Sequence, residues 1–147
     1  FPVKGVRIMS AILDTATGFF HACESGKGWD ICRKYCHPGA GFSSQTVSLA
    51  DIATLEGYTE WMKNLYTPIP DARYELRHLG MDNERGSVAV YAIFHGRHTG
   101  PGGPVAPTGK VVAADYVYVM EFEGGKIRYM TKIWNDIISL QQLGWAP

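Results

Sequence analysis

The chain has 147 residues, 46% apolar and 12% aromatic, enough for one domain with a real core and too few for two comfortable ones. Fourteen Lys and Arg residues balance fourteen Asp and Glu residues, so no global field draws the protein to nucleic acid or to an anionic membrane. Cys23, Cys32 and Cys36 are an odd count without metal-ligand spacing, which supports neither a disulfide framework nor a metal site and predicts reduced core thiols.

No apolar run reaches the roughly 20 residues that cross a bilayer. The start Phe1-Pro2-Val3-Lys4 lacks the apolar stretch of a secretory signal. The expectation is a soluble cytoplasmic protein, one domain over residues 1–147, with residues 1–8 as an N-terminal extension and Met9 as a candidate native start.

Helices fill the first half. Ile8, Ile12, Ala16, Phe19 or Phe20, and Cys23 form an amphipathic stripe that Ser25-Gly26 ends. Trp29, Cys32 and Cys36 share a face of a second helix, which His37-Pro38-Gly39 stops because proline cannot continue it. A polar, extended stretch over 42–48 leads to a third stripe, Leu55, Tyr58, Met62 and Leu65, closing before Pro68 and Pro70.

From Asp71 the period changes to two. Ala72, Tyr74, Leu76 and His78 alternate with Arg73, Glu75 and Arg77, so the dry face carries His78. The turn Asn83-Glu84-Arg85-Gly86 leads into a strand over 87–98, apolar on both faces and therefore central. The next strand, 111–122, sets Val112, Ala114, Tyr116, Tyr118, Met120 and Phe122 on one side. After Gly124-Gly125 the last strand points Ile127, Tyr129, Thr131, Ile133 and Asn135 inward, against Lys126, Arg128, Met130 and Lys132. Asp136 caps a short closing helix over 137–143.

The predicted fold is α+β: a cone-shaped, curved antiparallel sheet of four or more strands wrapped around three N-terminal helices. Its inner surface carries Tyr74, Leu76, His78, Phe94, His98, Tyr116, Tyr118, Met120, Tyr129 and Thr131, with Phe19, Tyr58 and Trp61 as lids. An apolar, aromatic lining with a few polar groups suits a small hydrophobic ligand. The same side chains also suit a filled core. The outer face, with His95, Val119 and Met130, is apolar enough to predict a homodimer through the sheet.

Phe94-His95-Gly96-Arg97-His98-Thr99-Gly100, followed by a Pro/Gly loop ending Pro107-Thr108-Gly109-Lys110, delivers His98 inward at a strand mouth. An imidazole there can act as acid or base. Equally, it can be a satisfied core histidine that hydrogen-bonds the loop. His95 faces the other way on a strand, so the pair does not form a metal site. The loop over 100–104 is no phosphate cradle, since its prolines lack donors.

These motifs, with Ile69-Pro70-Asp71, Gly125-Lys126-Ile127, Trp134-Asn135-Asp136 and Gln141-Gln142-Leu143-Gly144, resemble the SnoaL-like polyketide cyclases over about residues 19–144. That family lies in the nuclear transport factor 2-like, or cystatin-like, superfamily. The resemblance implies a homodimer without metal or organic cofactor, closing an aldol ring on a hydrophobic carbonyl compound with one acid and one histidine. His98 matches the histidine of Gly-x-His-x-Gly. Asp115 is the only acid early in its strand, and alternation points it outward unless a bulge re-aims it. Tyr129 and Asn135 stand where many relatives place acids. The candidate site is thus His98 and Asp115 as acid–base pair, with Tyr58, Trp61, Tyr74, His78, Phe94, Tyr116, Tyr118, Met120, Tyr129 and Asn135 against the ligand. The rival expectation is a non-catalytic binding or dimerisation module of the same fold.

Overall fold

A computed structural model describes residues 2–147, with side chains from Ala11 onward, so Ile8 lies outside the described side chains. The elements are α1 (Pro2–Glu24), α2 (Trp29–Cys32), a 3-10 turn (Arg33–Tyr35), β1 (Cys36–Ser44), α3 (Leu55–Leu65), β2 (Arg73–Asp82), β3 (Ser87–Arg97), β4 (Val111–Glu123), β5 (Lys126–Trp134) and α4 (Asp136–Leu143). Five strands form one sheet in the order β1-β5-β4-β3-β2. The last four are the expected antiparallel meander, and β1 adds an edge parallel to β5. Among the described residues no helix is long and apolar enough to cross a membrane.

Helix α1 forms as its stripe requires: Ala16, Phe19, Phe20 and Cys23 are fully buried. It ends where Ser25 Oγ donates to the His21 carbonyl and Gly26 turns at φ 73°. Helix α3 is capped by Thr54, whose hydroxyl accepts from Gly57 N–H at 3.0 Å. It buries Leu55, Tyr58 and Met62. The sheet returns Val88, Val90, Ala92, Tyr118, Met120, Ile127 and Met130 into the same core. Cys23, Cys32 and Cys36 are free and buried.

Three sequence expectations change. The second helix is only four residues long, and Cys36, His37, Pro38 and Gly39 belong to β1. Pro38 is tolerated there because β1 is an edge strand whose pairing is broken between Cys36 and Gly41. In β2 a bulge between Leu76 and His78 inverts the alternation, so Leu79 and Met81 pack on the core and His78 is exposed. In β5 an irregularity opposite Glu121/Phe122 pairs Tyr129 and then Ile127, leaving Arg128 as the extra residue. Past it Met130 and Lys132 point inward, while Ile133 is 60% exposed. Met130 therefore belongs to the core and not to the outer face assigned to it for dimerisation.

Beyond β3 the chain packs against the α3–β2 connection. Gly100 N–H donates to the Pro68 carbonyl, and a Cβ on Gly100 would lie 2.0 Å from the Thr67 carbonyl oxygen. Backbone meets backbone there, so no side chain can move aside. Gly100→Ala is expected to cost about 2–4 kcal/mol, whereas Gly39→Ala, which meets nothing within 4 Å, should change stability by less than about 0.5 kcal/mol. Urea midpoints of the two variants test the contrast.

Candidate functional site

A cavity of about 200 Å³ opens between the inner sheet face, α3 and α4. Phe94, Val112, Ala114, Leu140 and Leu143 make most of its wall apolar. Glu24 from the end of α1, Trp61 from α3, Tyr116 from β4, and Lys132 and Trp134 from β5 bring polar and aromatic groups to it.

Glu24 and Lys132 are the two ends of one hydrogen-bonded chain that runs through Tyr58 and Tyr118. Lys132 Nζ donates to the Tyr58 hydroxyl at 2.9 Å. The Tyr58 and Tyr118 hydroxyls share a short hydrogen bond, and Tyr118 donates to Glu24 Oε2 at 2.8 Å. A carboxylate can only accept, so the direction is set throughout: amine to Tyr58, Tyr58 to Tyr118, Tyr118 to Glu24. One proton shifted along each link converts an ammonium and a carboxylate into a neutral amine and a neutral acid.

Burial favours that shift at both ends. Desolvation raises the Glu24 carboxyl above its ordinary value, against the opposing pull of Lys132 and the tyrosine hydroxyls. Desolvation lowers the Lys132 amine to about 8, with Glu24 acting the other way. Both phenols between them are pushed well above their ordinary value by burial and stay protonated.

Aromatic rings enclose the amine. Nζ lies 4.2 Å from the Trp134 ring centre, 5.1 Å from Tyr58, 5.3 Å from Tyr116 and 5.4 Å from Trp61. Trp134 is held by its Nε1–H donating to Ser139 Oγ. Asp136, on α4, does not cap its helix. Its Oδ2 accepts from both the N–H and the hydroxyl of Ser48, tying the loop after β1 to the cavity wall. The buried Tyr116 hydroxyl lies near the Glu24 carboxyl, whose charge bears on it, but makes no hydrogen bond of good geometry.

Of the residues expected from sequence, Trp61, Phe94 and Tyr116 line the cavity, and Tyr58 and Tyr118 stand directly behind it in the chain of donors. Met120 is fully buried in the main core. Tyr74 bonds His21 at 2.9 Å, and Tyr129 packs over Gly41. Asn135 is the exposed residue preceding α4. Asp115 stays on the outer face, because the β3–β4 register runs unbroken past it, and it accepts from Tyr91 at 2.9 Å.

His98 is fully buried but away from the cavity lining. Its Nδ1 faces two donors, Trp145 Nε1–H at 2.9 Å and Thr108 N–H at 3.2 Å. Those donors place the ring proton on Nε2, which has no partner. His98 thus ties the loop after β3 to the chain end, where Gly144, at φ 74°, turns Trp145 back over α4. Glycine at 96 and 100 lets the chain approach Ile69 and Thr67 closely enough to seat it.

Residues 14–143 match the family model described as SnoaL-like polyketide cyclase. The chain belongs to this family. Solved structures of SnoaL-like and related proteins share its fold. AclR of Streptomyces galilaeus, described as a candidate hydroxylase, superposes with a TM-score of 0.75 at 19% identity, over 95% of this chain and 84% of that one. A candidate SnoaL-like polyketide cyclase from a Jannaschia species gives 0.75 at 19%, covering 94% of each chain. IdmH of Streptomyces antibioticus, a candidate polyketide cyclase, gives 0.72 at 20%, over 89% of this chain and 96% of that one. A ketosteroid isomerase-like fold is named for another relative, from Catenulispora acidiphila. A comparison with curated proteins finds no match.

In this SnoaL-like chain the two groups that sequence reasoning missed are the two ends of the proton chain. Glu24 carried a signal: Ala16, Phe20 and Glu24 follow at i, i+4, i+8 on the dry stripe of α1. Lys132 carried none, because the β5 irregularity reverses its face. Among the described residues no cluster of three metal-binding side chains forms.

Two outcomes follow from this geometry. His98→Gln should lower stability by about 1–3 kcal/mol through the disturbed buried hydrogen bonds, while ligand affinity in the cavity changes by less than about threefold. Thermal midpoints and tryptophan quenching read the two effects separately. Lys132→Met should raise stability at pH 7 by about 1–3 kcal/mol, since an apolar side chain replaces a costly buried amine and Glu24 takes up a proton. Lys132 releases its proton near pH 8 when folded against an ordinary value of 10.5, so wild-type stability rises with pH across that window. The advantage of the variant should shrink there, as urea titrations at pH 7 and pH 10 would show.

Proposed function

We propose that the cavity is an active site for acid–base chemistry of the cyclase or isomerase type on a small hydrophobic carbonyl compound, with the protons handled by the chain's own residues. The observation that carries this reading is the one-way chain from Lys132 to Glu24, beside a buried Tyr116 hydroxyl that makes no hydrogen bond of good geometry. A cavity that only holds an apolar ligand needs neither a buried amine nor a buried carboxyl, each of which is expensive to desolvate. The relatives described as candidate polyketide cyclases point to the same reaction class.

Glu24 takes the proton from the carbon beside the substrate carbonyl. Its burial makes it a stronger base than an exposed carboxylate. Tyr116 donates to the carbonyl oxygen as negative charge gathers there, a contact worth about 3 kcal/mol in a dry site. In an aldol closure the enolate carbon then attacks a second carbonyl, and Glu24 returns the proton to the new alkoxide.

The test uses 2-tetralone, an enolisable aromatic ketone, in deuterated water. Wild-type protein should accelerate deuterium exchange at the α-carbon, read by proton NMR. Glu24→Gln should slow it by about 10²–10⁴-fold while quenching of the cavity tryptophans by the ketone persists. Quenching without exchange in the wild type would make the cavity a binding site only.

A further inference from the structure

We propose that Lys132 is a nucleophile that captures the ligand covalently, its amine condensing with the carbonyl carbon of an aldehyde or ketone in the cavity to form an imine. The inference rests on the reading that the cavity admits a carbonyl compound, and it names how that compound is held and activated.

The placement of the amine is unlike that of a structural lysine. Among the described residues no carboxylate lies within ion-pair distance of Nζ, and its one hydrogen-bond partner is a phenol. The nearby Asp136 is engaged by Ser48. Glu24 is reached only through two tyrosines, which makes it a reservoir for the lysine proton and not a salt-bridge partner. Lys132 lines the cavity from a β-strand, so its position is rigid, and the ring faces around it keep water from the amine. A lysine desolvated in this way is the ordinary form of an amine that attacks carbonyls.

The step balances without any co-reactant. The ammonium proton passes along Tyr58 and Tyr118 to Glu24. The freed nitrogen lone pair attacks the carbonyl carbon, and the π pair moves to oxygen, which takes one proton from the now positive nitrogen to give a neutral carbinolamine. Glu24 then gives its proton to the departing hydroxyl, so that one water leaves, nitrogen keeps its last proton and a protonated C=N bond forms. A protonated imine is still a cation. The rings of Trp134, Trp61 and Tyr116 that surround the ammonium therefore suit the product equally, and the positive nitrogen acidifies the adjacent carbon.

Borohydride reduction in the presence of 2-tetralone converts the imine into a stable secondary amine. Intact mass should show one adduct, the probe less its oxygen atom, and peptide mapping should place it on Lys132. The rate of trapping should rise as pH passes through about 8. The titratable groups that bear on that profile are Glu24 and Cys23 from α1, Tyr58 from α3, Tyr116 and Tyr118 from β4, and Asp136 from α4. Lys132→Arg should still quench with the ketone and give no adduct, and Lys132→Met supplies the same comparison should the arginine fail to fold. Quenching by the ketone with no reducible adduct on Lys132 would overturn the imine and leave the acid–base reading standing. So would undiminished α-deuterium exchange in Lys132→Met. A ketone that never enters the cavity would overturn both.

Discussion

A lysine and a glutamate, joined through two tyrosines inside the hydrophobic core, set the terms for the rest of this structure. Neither ionised end is comfortable there, because both have lost their water. The four groups come from four elements, Glu24 from α1, Tyr58 from α3, Tyr118 from β4 and Lys132 from β5. The chain of donors can close only if helices and sheet meet in one register. The surrounding packing serves that register: Phe42 stacks on Tyr58 at 4.5 Å, and Phe20 meets Tyr118 edge-on at 6.0 Å. A core made only of leucines and valines would hold the helices to the sheet at lower cost and with less positional demand.

Irregular strands make this placement possible. A sheet of uninterrupted alternation would turn Lys132 to solvent and Ile133 inward. The extra residue in β5 reverses the face beyond it, and Lys132 arrives at the floor of the cavity with Trp134 beside it. A bulge in β2 exposes His78 and hands the core to Leu79 and Met81. Bulges bend a sheet and strengthen its twist, so the irregularities that re-aim these side chains also help to curve the surface that encloses them.

The same bulges mark where sequence reading succeeds and where it stops. Helix stripes and the meander follow from local periodicity, and the end of α1, α3 and β2–β5 stand where it puts them. Strand β1 does not, because Cys36-His37-Pro38-Gly39 reads as a helix stop when its neighbour is unseen. Only the distant β5 supplies the pairing that makes it an edge strand. In the site, Tyr116 and Tyr118 were legible because the β3–β4 register is unbroken. Lys132 was not, since nothing around Arg128 announces a reversed face. Glu24 was legible in spacing and concealed by residue type, because an acid at the end of a helix ordinarily faces water.

The most conspicuous motif of the chain, Gly96-Arg97-His98-Thr99-Gly100, thereby acquires a mechanical meaning. Its glycines admit the α3–β2 connection at distances a Cβ would forbid, and its histidine fastens the following loop to Trp145. Trp145 in turn lines the cavity, as do Leu140 and Leu143 of α4. The imidazole thus bears on the cavity by fixing one of its wall residues and not by lining it. That division of labour has a physical reason. A histidine whose Nδ1 already faces two N–H donors has no free lone pair there to offer a substrate, whereas a carboxyl and an amine joined by phenols can exchange a proton without either leaving its place. The motif secures the chamber, and the hydrogen-bonded chain from Lys132 to Glu24 is built from other side chains, which desolvation rather than exposure tunes.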